Sequence, residues 1–377
     1  MHVLSIKPEM VLYFYMANCI AVLIFNIIYI FIDKYQGRRN KKRSTRLEAM
    51  IRGQLELLAA GRPVAPEHIK QLKRMLKRLT KLKAFEDSLG AVPSKALDGY
   101  VRQLRPVFIA LTSVYEKRDF IEQAYFAWLI EKLGVDRGQV SYDAIINLLL
   151  SMVSRPDVHV RENALKALYS IGFADAVLSA WTIMENGEIN HSVKLLTDGL
   201  LSFSGDRQAL AELLYSRRKH FSQRLNLPVM QFIRFESGNF CQEFLELLQQ
   251  DAEDKELRLE AIRYLGRYPY APARGTLQQL IRYEEYIDWE FAAMSARALA
   301  NYPGADTETA LKEGLHARNW YVRLNCAEAL VDGLKLPVLK LYDVYNSRDR
   351  YAREILQYVS EKSDIKNQSL KLEDVDV

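Results

Sequence analysis

"DVHVRENALKAL", residues 157–168, sets Asp157 first, then Val160 three residues on, Arg161 at four, Ala164 at seven and Leu168 at eleven. Those offsets lie on one stripe of an α-helix, and an aspartate ahead of such a stripe can accept hydrogen bonds from the free N–H groups of the first turn. The pattern returns as "DKELRLEAIRYL" from Asp254, "DWEFAAMSARAL" from Asp288 and "NWYVRLNCAEAL" from Asn319. Looser copies are "NHSVKLLTDGLL" from Asn190, "SQRLNLPVMQFI" from Ser222 and "DRYAREILQYVS" from Asp349. Seven copies separated by 30 to 34 residues make an internal repeat, and that repeat decides the fold.

The residue seven places after the cap is mostly small (Ala164, Thr197, Ala261, Ser295, Cys326), which lets a neighbouring helix approach closely. Between the copies lie second helical stretches such as "DAVLSAWTIME", "FCQEFLELLQQ" and "TLQQLIRYEEY". The unit is therefore a pair of antiparallel helices, which cannot bury its apolar face alone and has to stack on its neighbours. Pro228 falls inside the Ser222 copy, so that helix is expected to begin near Asn226. The pair "DFIEQAYFAWLIEKLG" and "YDAIINLLLSMV" matches the pattern poorly and is expected to cap the N-terminal end of the array.

These copies resemble the short HEAT-like repeats of the phycobilisome-lyase type, whose hallmark is D-x-x-V-R-x-x-A-x-x-A-L on the first helix of each pair. The resemblance covers about residues 119–360 and is most specific at Asp157, Asp254 and Asn319. It implies an all-α fold, a right-handed α-solenoid of HEAT-like helical pairs. It also implies that the recurring basic residue (Arg161, Lys194, Arg258, Arg323, Arg353) is a structural partner of the capping acid rather than a ligand site. Some HEAT-like proteins attach bilin chromophores and others excise alkylated bases from DNA, but neither set of functional residues transfers here.

Upstream of the array, residues 10–32 run without a charge. At about 1.5 Å per residue such a run crosses a hydrocarbon core of about 30 Å once. The basic residues follow the run instead of preceding it, which argues for a retained anchor over a signal peptide. Asn18 and Asn26 lie close in helical phase, marking either a face for another membrane helix or two tolerated amides. Residues 34–83 then hold sixteen Lys or Arg against Glu48, Glu56 and Glu67, a local balance of +13 within a chain whose net charge is +5. By the positive-inside rule the N-terminus is outside and the remainder cytoplasmic.

Thr45 and Glu48 have capping-box spacing and are expected to open a helix after a basic linker. "PEHIKQLKRMLKRLTKLKAF" reads as one basic amphipathic helix, and "DGYVRQLRPVFIALTSVYEKRD" as another with a kink at Pro106. Arg38, Arg39, Lys41, Lys42, Arg43, Lys70, Lys73, Arg74, Lys77 and Arg78 are the candidate membrane-surface residues; the alternative is a solvated charged face. The expected layout is a short extracytoplasmic N-terminus (1–9), a transmembrane helix (10–32), a basic linker (33–46), a helical juxtamembrane segment (47–118), the repeat array (119–360) and a disordered tail (361–377).

Chemistry is scarce. The three cysteines are far apart in apolar surroundings, and the six histidines form no HExxH or His/Cys cluster. No phosphate loop, GxGxxG or nucleophile elbow occurs, so neither catalytic residue, cofactor nor metal is expected. Residues 84–377 carry about −7, a poor match to nucleic acid, and the cluster Arg217, Arg218, Lys219 and His220 reads as a solvated helix end. The expected function is a membrane-anchored cytoplasmic scaffold that binds a protein, with an integral membrane protein and membrane lipid as partners. Alternatives are a lyase or transferase and a membrane-tethered nucleic-acid binder. Proteins of similar layout accompany bacterial envelope polysaccharide synthases, which implies a membrane glycosyltransferase as partner. Aromatics beside charge in the second helices and turns make Trp181, Arg267, Tyr268, Tyr270, Tyr283, Tyr286 and Tyr342 the candidate partner-binding residues.

Overall fold

The computed structural model describes residues 8–90, 92, 94–282 and 288–373, and among them there is helix and no strand. The chain forms two compact units, Met1–Ala176 and Val177–Val377.

The first unit begins with α1 (Pro8–Ala59), followed by α2 (Pro66–Met75), α3 (Leu79–Leu89), α4 (Ser94–Gln103), α5 (Arg105–Tyr115), α6 (Phe120–Leu133), α7 (Ala144–Val153) and α8 (Val158–Ile171). Helix α1 contains the window Tyr13–Phe31, whose side chains are exposed and which is long and apolar enough to cross a membrane. No linker follows it: residues 33–46 continue the same helix. Once the apolar turns exist, each added residue needs only propagation, and this stretch holds seven Lys or Arg, with Gly37 its least favourable residue and no Pro to stop it. The expected capping box therefore does not form, and the Thr45 hydroxyl donates to the Lys41 carbonyl one turn back at 3.0 Å. The helix does stop in "AGRPVAP": Gly61 is left-handed at φ 71°, and Arg62 N–H reaches back to the Leu57 carbonyl at 2.9 Å.

Two further helix boundaries depart from the sequence reading. The single basic helix is broken at residues 76–78, where Tyr115 donates to the Leu76 carbonyl at 2.8 Å and Arg118 to the Lys77 carbonyl at 3.2 Å. Those side chains occupy the acceptors that the break frees. In place of a kink at Pro106, the chain breaks at Leu104 and Pro106 sits in the first turn of α5, where its missing N–H costs nothing. Tyr115 stacks on Phe126 with ring centroids 4.4 Å apart, joining α5 to α6. Helices α6 and α7 are properly capped by Asp119 and Asp143 and pack on α8, so this pair stacks as a repeat does.

The second unit contains α9 (Ala174–Asn186, entered from the first unit), α10 (Val193–Leu201), α11 (Arg207–Arg217), α12 (Gln223–Glu236), α13 (Cys241–Gln249), α14 (Lys255–Arg267) and α15 (Ala273–Arg282). It continues with α16 (Trp289–Leu299), α17 (Ala305–Gly314), α18 (Trp320–Glu328), α19 (Tyr342–Tyr345) and α20 (Arg350–Glu373). Helices α10, α12, α14, α16, α18 and α20 form one row of neighbours, and α11, α13, α15 and α17 pack against it. The small residues seven places after the caps are buried throughout, and a Cβ on Gly314 of α17 would stand 2.5 Å from Cys326 Sγ.

Asp254, Asn319 and Asp349 cap as their spacing predicts, accepting from Glu256 N–H at 2.8 Å, Tyr321 N–H at 2.8 Å and Tyr351 N–H at 2.9 Å. In the first unit Asp157 does the same for Val160 at 2.9 Å. In the Asn190 copy the cap is Ser192 instead, bonded to Leu195 N–H at 3.2 Å. Helix α12 begins at Gln223, not near Asn226, because Glu185 holds Ser222 by its N–H at 2.9 Å and its hydroxyl at 2.8 Å, fixing the helix start ahead of Pro228. The recurring arginine bonds carbonyls of the preceding turn, not the capping acid: Arg161 donates to Arg155 and Pro156, Arg258 to Leu248, Arg323 to Ala317 and Arg353 to Ser347. It seals the end of one helix against the start of the next. Helix α20 continues through the stretch expected to be disordered from residue 361, as far as Glu373; no Gly or Pro interrupts it, and Lys362 pairs with Glu328 at 3.2 Å.

Candidate interaction surfaces

The expected membrane-surface residues split in two groups. Lys41 is exposed and Arg43 half-buried on α1, while the side chains of Arg38, Arg39 and Lys42 lie outside the described residues. Lys70, Arg74, Lys77 and Arg78 are exposed, and Lys73 is half-buried, on or just after α2. The opposite side of α2 is fixed by His68 and Leu72, and His68 Nε2 lies 2.7 Å from the buried Tyr100 hydroxyl. Burial lowers the His68 pKa, so the ring is neutral and belongs to the core rather than to the basic face.

Of the expected partner-binding residues that are described, some lie in the core and others at the surface. Trp181 is fully buried and packs against Phe221 with centroids 6.0 Å apart, so its place is in the core of the second unit. On α9 it falls in one buried stripe with Val177, Ala180 and Met184. Arg267 is exposed, with its guanidinium 5.5 Å from the Phe235 ring. Tyr268 is half-buried against Tyr264, and Tyr270 is tied down, its N–H donating to the Tyr302 hydroxyl at 3.0 Å and its own hydroxyl to Gln242 at 2.8 Å. Tyr342 is exposed. Tyr283 and Tyr286 lie outside the described residues. The basic cluster after α11 is also not simply solvated, since Arg218 is buried and pairs with Glu253 at 3.5 Å.

An aromatic surface that sequence reading missed runs along the starts of α16, α18 and α20. Trp289, Trp320, Tyr321 and Tyr351 stand one or two residues after their caps and are 37%, 53%, 52% and 63% exposed. Trp289 stacks on Tyr321 at 5.1 Å and 20° between planes, Trp320 meets the same ring edge-on at 5.1 Å, and Arg323 stands 5.0 Å over Tyr351. Positions one and two after a helix start lie off the stripe that packs the array, whether the cap bond is made, as at Asn319 and Asp349, or not, as at Asp288, whose side chain accepts from no N–H of its first turn. The available clue was that two of the four tryptophans occupy the same place in consecutive copies.

In the first unit a second cluster joins positions with no shared motif. Arg105 Nε lies 2.5 Å from Asp136 Oδ1 and its Nη2 lies 2.5 Å from Asp143 Oδ2, beside a cavity of about 440 Å³ lined also by Asp98, Arg102 and Arg137. The Asp136 side chain is fully buried, its backbone is left-handed at φ 61°, and its Oδ2 has no hydrogen-bond partner. Burial pushes the Asp136 carboxyl up to about 6, Asp143 adds to the rise, and Arg105 opposes both. A carboxyl whose folded pKa exceeds the ordinary value of about 3.9 holds its proton more tightly in the folded chain. The contribution of this group to stability therefore falls as pH rises from about 4 to about 6 and is level above that. Thermal melting of Asp136→Asn should lack this slope while the unaltered chain shows it; parallel curves would place the proton elsewhere.

Among the described residues no group of three or more His, Cys, Asp or Glu could hold a metal ion. A family model for HEAT repeats matches residues 242–331, which contain the Asp254, Asp288 and Asn319 copies. No curated protein matches the chain. Among solved structures, human deoxyhypusine hydroxylase in complex with glycerol is 16% identical, covering 78% of this chain and 94% of that one with a TM-score of 0.28. An engineered protein is also 16% identical, covering 78% of this chain and 95% of its own with a TM-score of 0.20. Likeness at these scores says nothing about activity. The chain is an all-α protein carrying HEAT-like helical repeats.

Proposed function

We propose that this protein is a scaffold anchored in the cell membrane by one crossing, with its N-terminus outside and its helical repeats in the cytoplasm, that holds an integral membrane protein. The observation that carries the binding role is the exposed aromatic edge formed by Trp289, Trp320, Tyr321 and Tyr351. Rings stacked on one another lose little freedom on binding, and Trp, Tyr and Arg dominate binding energy at protein interfaces. The apolar window Tyr13–Phe31 and the positive charge after it support the anchor and its orientation. The resemblance in layout makes a membrane glycosyltransferase or an envelope polysaccharide synthase the partner class to look for first.

The test is detergent co-purification of the full chain with identification of the bound protein, repeated with Trp320→Ala, Tyr321→Ala and Tyr351→Ala combined. These side chains lie outside the core, so the helical content and melting should stay near those of the unaltered chain. Partner affinity should fall by about thirtyfold or more, the effect of losing about 2 kcal/mol at an interface centre. Undiminished recovery of the partner by a folded variant would put the binding face elsewhere.

A further inference from the structure

Helices α1, α2 and α3 enclose a groove of about 270 Å³ whose lining includes Arg43, Arg46, Met50, Gln71, Met75 and Lys81. Arg43, Arg46 and Met50 share one face of α1 by their spacing of three and four residues, Gln71 and Met75 do so on α2, and Lys81 enters from the start of α3. Its floor is apolar, completed by the buried Leu47 and Ala84. Gln71 Nε2 contacts Met50 Sδ at 4.0 Å, which orients the amide across the floor.

The charge of this groove is one-sided. The side chains of Arg43, Arg46 and Lys81 make no hydrogen bond or ion pair among the described residues, and no acidic residue lines the groove. The cavity beside Arg105 differs, because Asp98 and Asp136 stand among its arginines. Three like charges around one concavity repel each other, and the attraction of an anion placed between them offsets that repulsion. Two guanidiniums and one ammonium match the donors that phosphate takes, bidentate from arginine and as a point charge from lysine. The thioethers of Met50 and Met75 are polarizable and adapt to an acyl chain or the face of a flat ring. A volume near the lower end of the range for small-molecule sites, about 300 Å³, suits a ligand with a single phosphate ester.

We propose that this groove binds a phosphate ester bearing an apolar body, the phosphate between Arg43, Arg46 and Lys81 and the apolar part against Leu47, Met50 and Met75. The site is independent of the aromatic edge in the second unit, so either can fail alone. Two sources share this chemistry, a phospholipid and a soluble nucleotide.

The experiment uses the full chain in a non-ionic detergent and titrates it calorimetrically with adenosine monophosphate, with phosphatidylglycerol in mixed micelles, and with inorganic phosphate. One of the two organic probes should bind about tenfold or more tightly than inorganic phosphate, and which one does identifies the source. Arg43→Gln, Arg46→Gln and Lys81→Gln combined should weaken that probe about tenfold or more. Arg46 is exposed, so Arg46→Gln alone should keep the fold and still weaken binding measurably. Equal binding of inorganic phosphate, indifference of the variants, or failure of both organic probes would overturn the proposal.

Discussion

Glu260→Ala should lower the stability of the second unit by about 3 kcal/mol, toward the lower end of what breaking a buried ion pair costs. Glu260 is fully buried on α14 and accepts from Arg234 on α12 and from Arg263 at 3.0 Å on its own helix. One carboxylate thus holds two cations and joins two neighbouring repeats. Removing it leaves Arg234 and Arg263 uncompensated, and their side chains are 20% and 34% exposed, so water recovers part of the loss. Glu260→Gln keeps the shape and one acceptor and should lose less than the alanine variant. Chemical denaturation followed by helical circular dichroism reads both; a glutamine variant as stable as the unaltered chain would mean that packing rather than charge holds the helices together, and equal losses in the two variants would assign the whole effect to the charge.

Trp181→Ala should cost about 3–5 kcal/mol, because a fully buried indole leaves a cavity that its neighbours fill only in part. Trp181→Phe should stay within about 1 kcal/mol of the unaltered chain. The Nε1 of Trp181 is buried without a hydrogen-bond partner, so the smaller ring gives up packing but also sheds a desolvated donor. Melting curves decide the matter. A Trp181→Ala variant that melts normally but loses its partner would return Trp181 to the binding surface.

The repeat was legible because its chemistry is local. A cap, an apolar stripe and a small residue at fixed offsets specify one helix and the face it buries, and Asp157, Asp254, Asn319 and Asp349 cap as their spacing predicts. Contacts between helices were not legible. Nothing near Ser222 announces that Glu185 fixes the start of α12, and nothing near Lys77 announces that Arg118 will take its carbonyl. The same limit explains the site residues. Aromatics beside charge are equally compatible with an exposed edge and with a core that uses charge at its rim, and Trp181 and Trp320 separate only when the stacking of neighbours is known.

The unbroken course of α1 makes helical phase a transmitted quantity. A flexible linker would isolate the apolar window from the residues that pack beneath α3, but a continuous helix ties the azimuth of one to the azimuth of the other. One residue inserted between Phe31 and Ser44 would turn the apolar window by about 100° relative to the packed face and lift it by about 1.5 Å. Seven inserted residues would bring the two faces back within about 20° of register while lengthening the stalk by about 10 Å. The direction in which each face of the apolar window points is therefore set from the packed end of α1, by the seating of Leu47 and Ile51. A torque applied at either end is felt at the other.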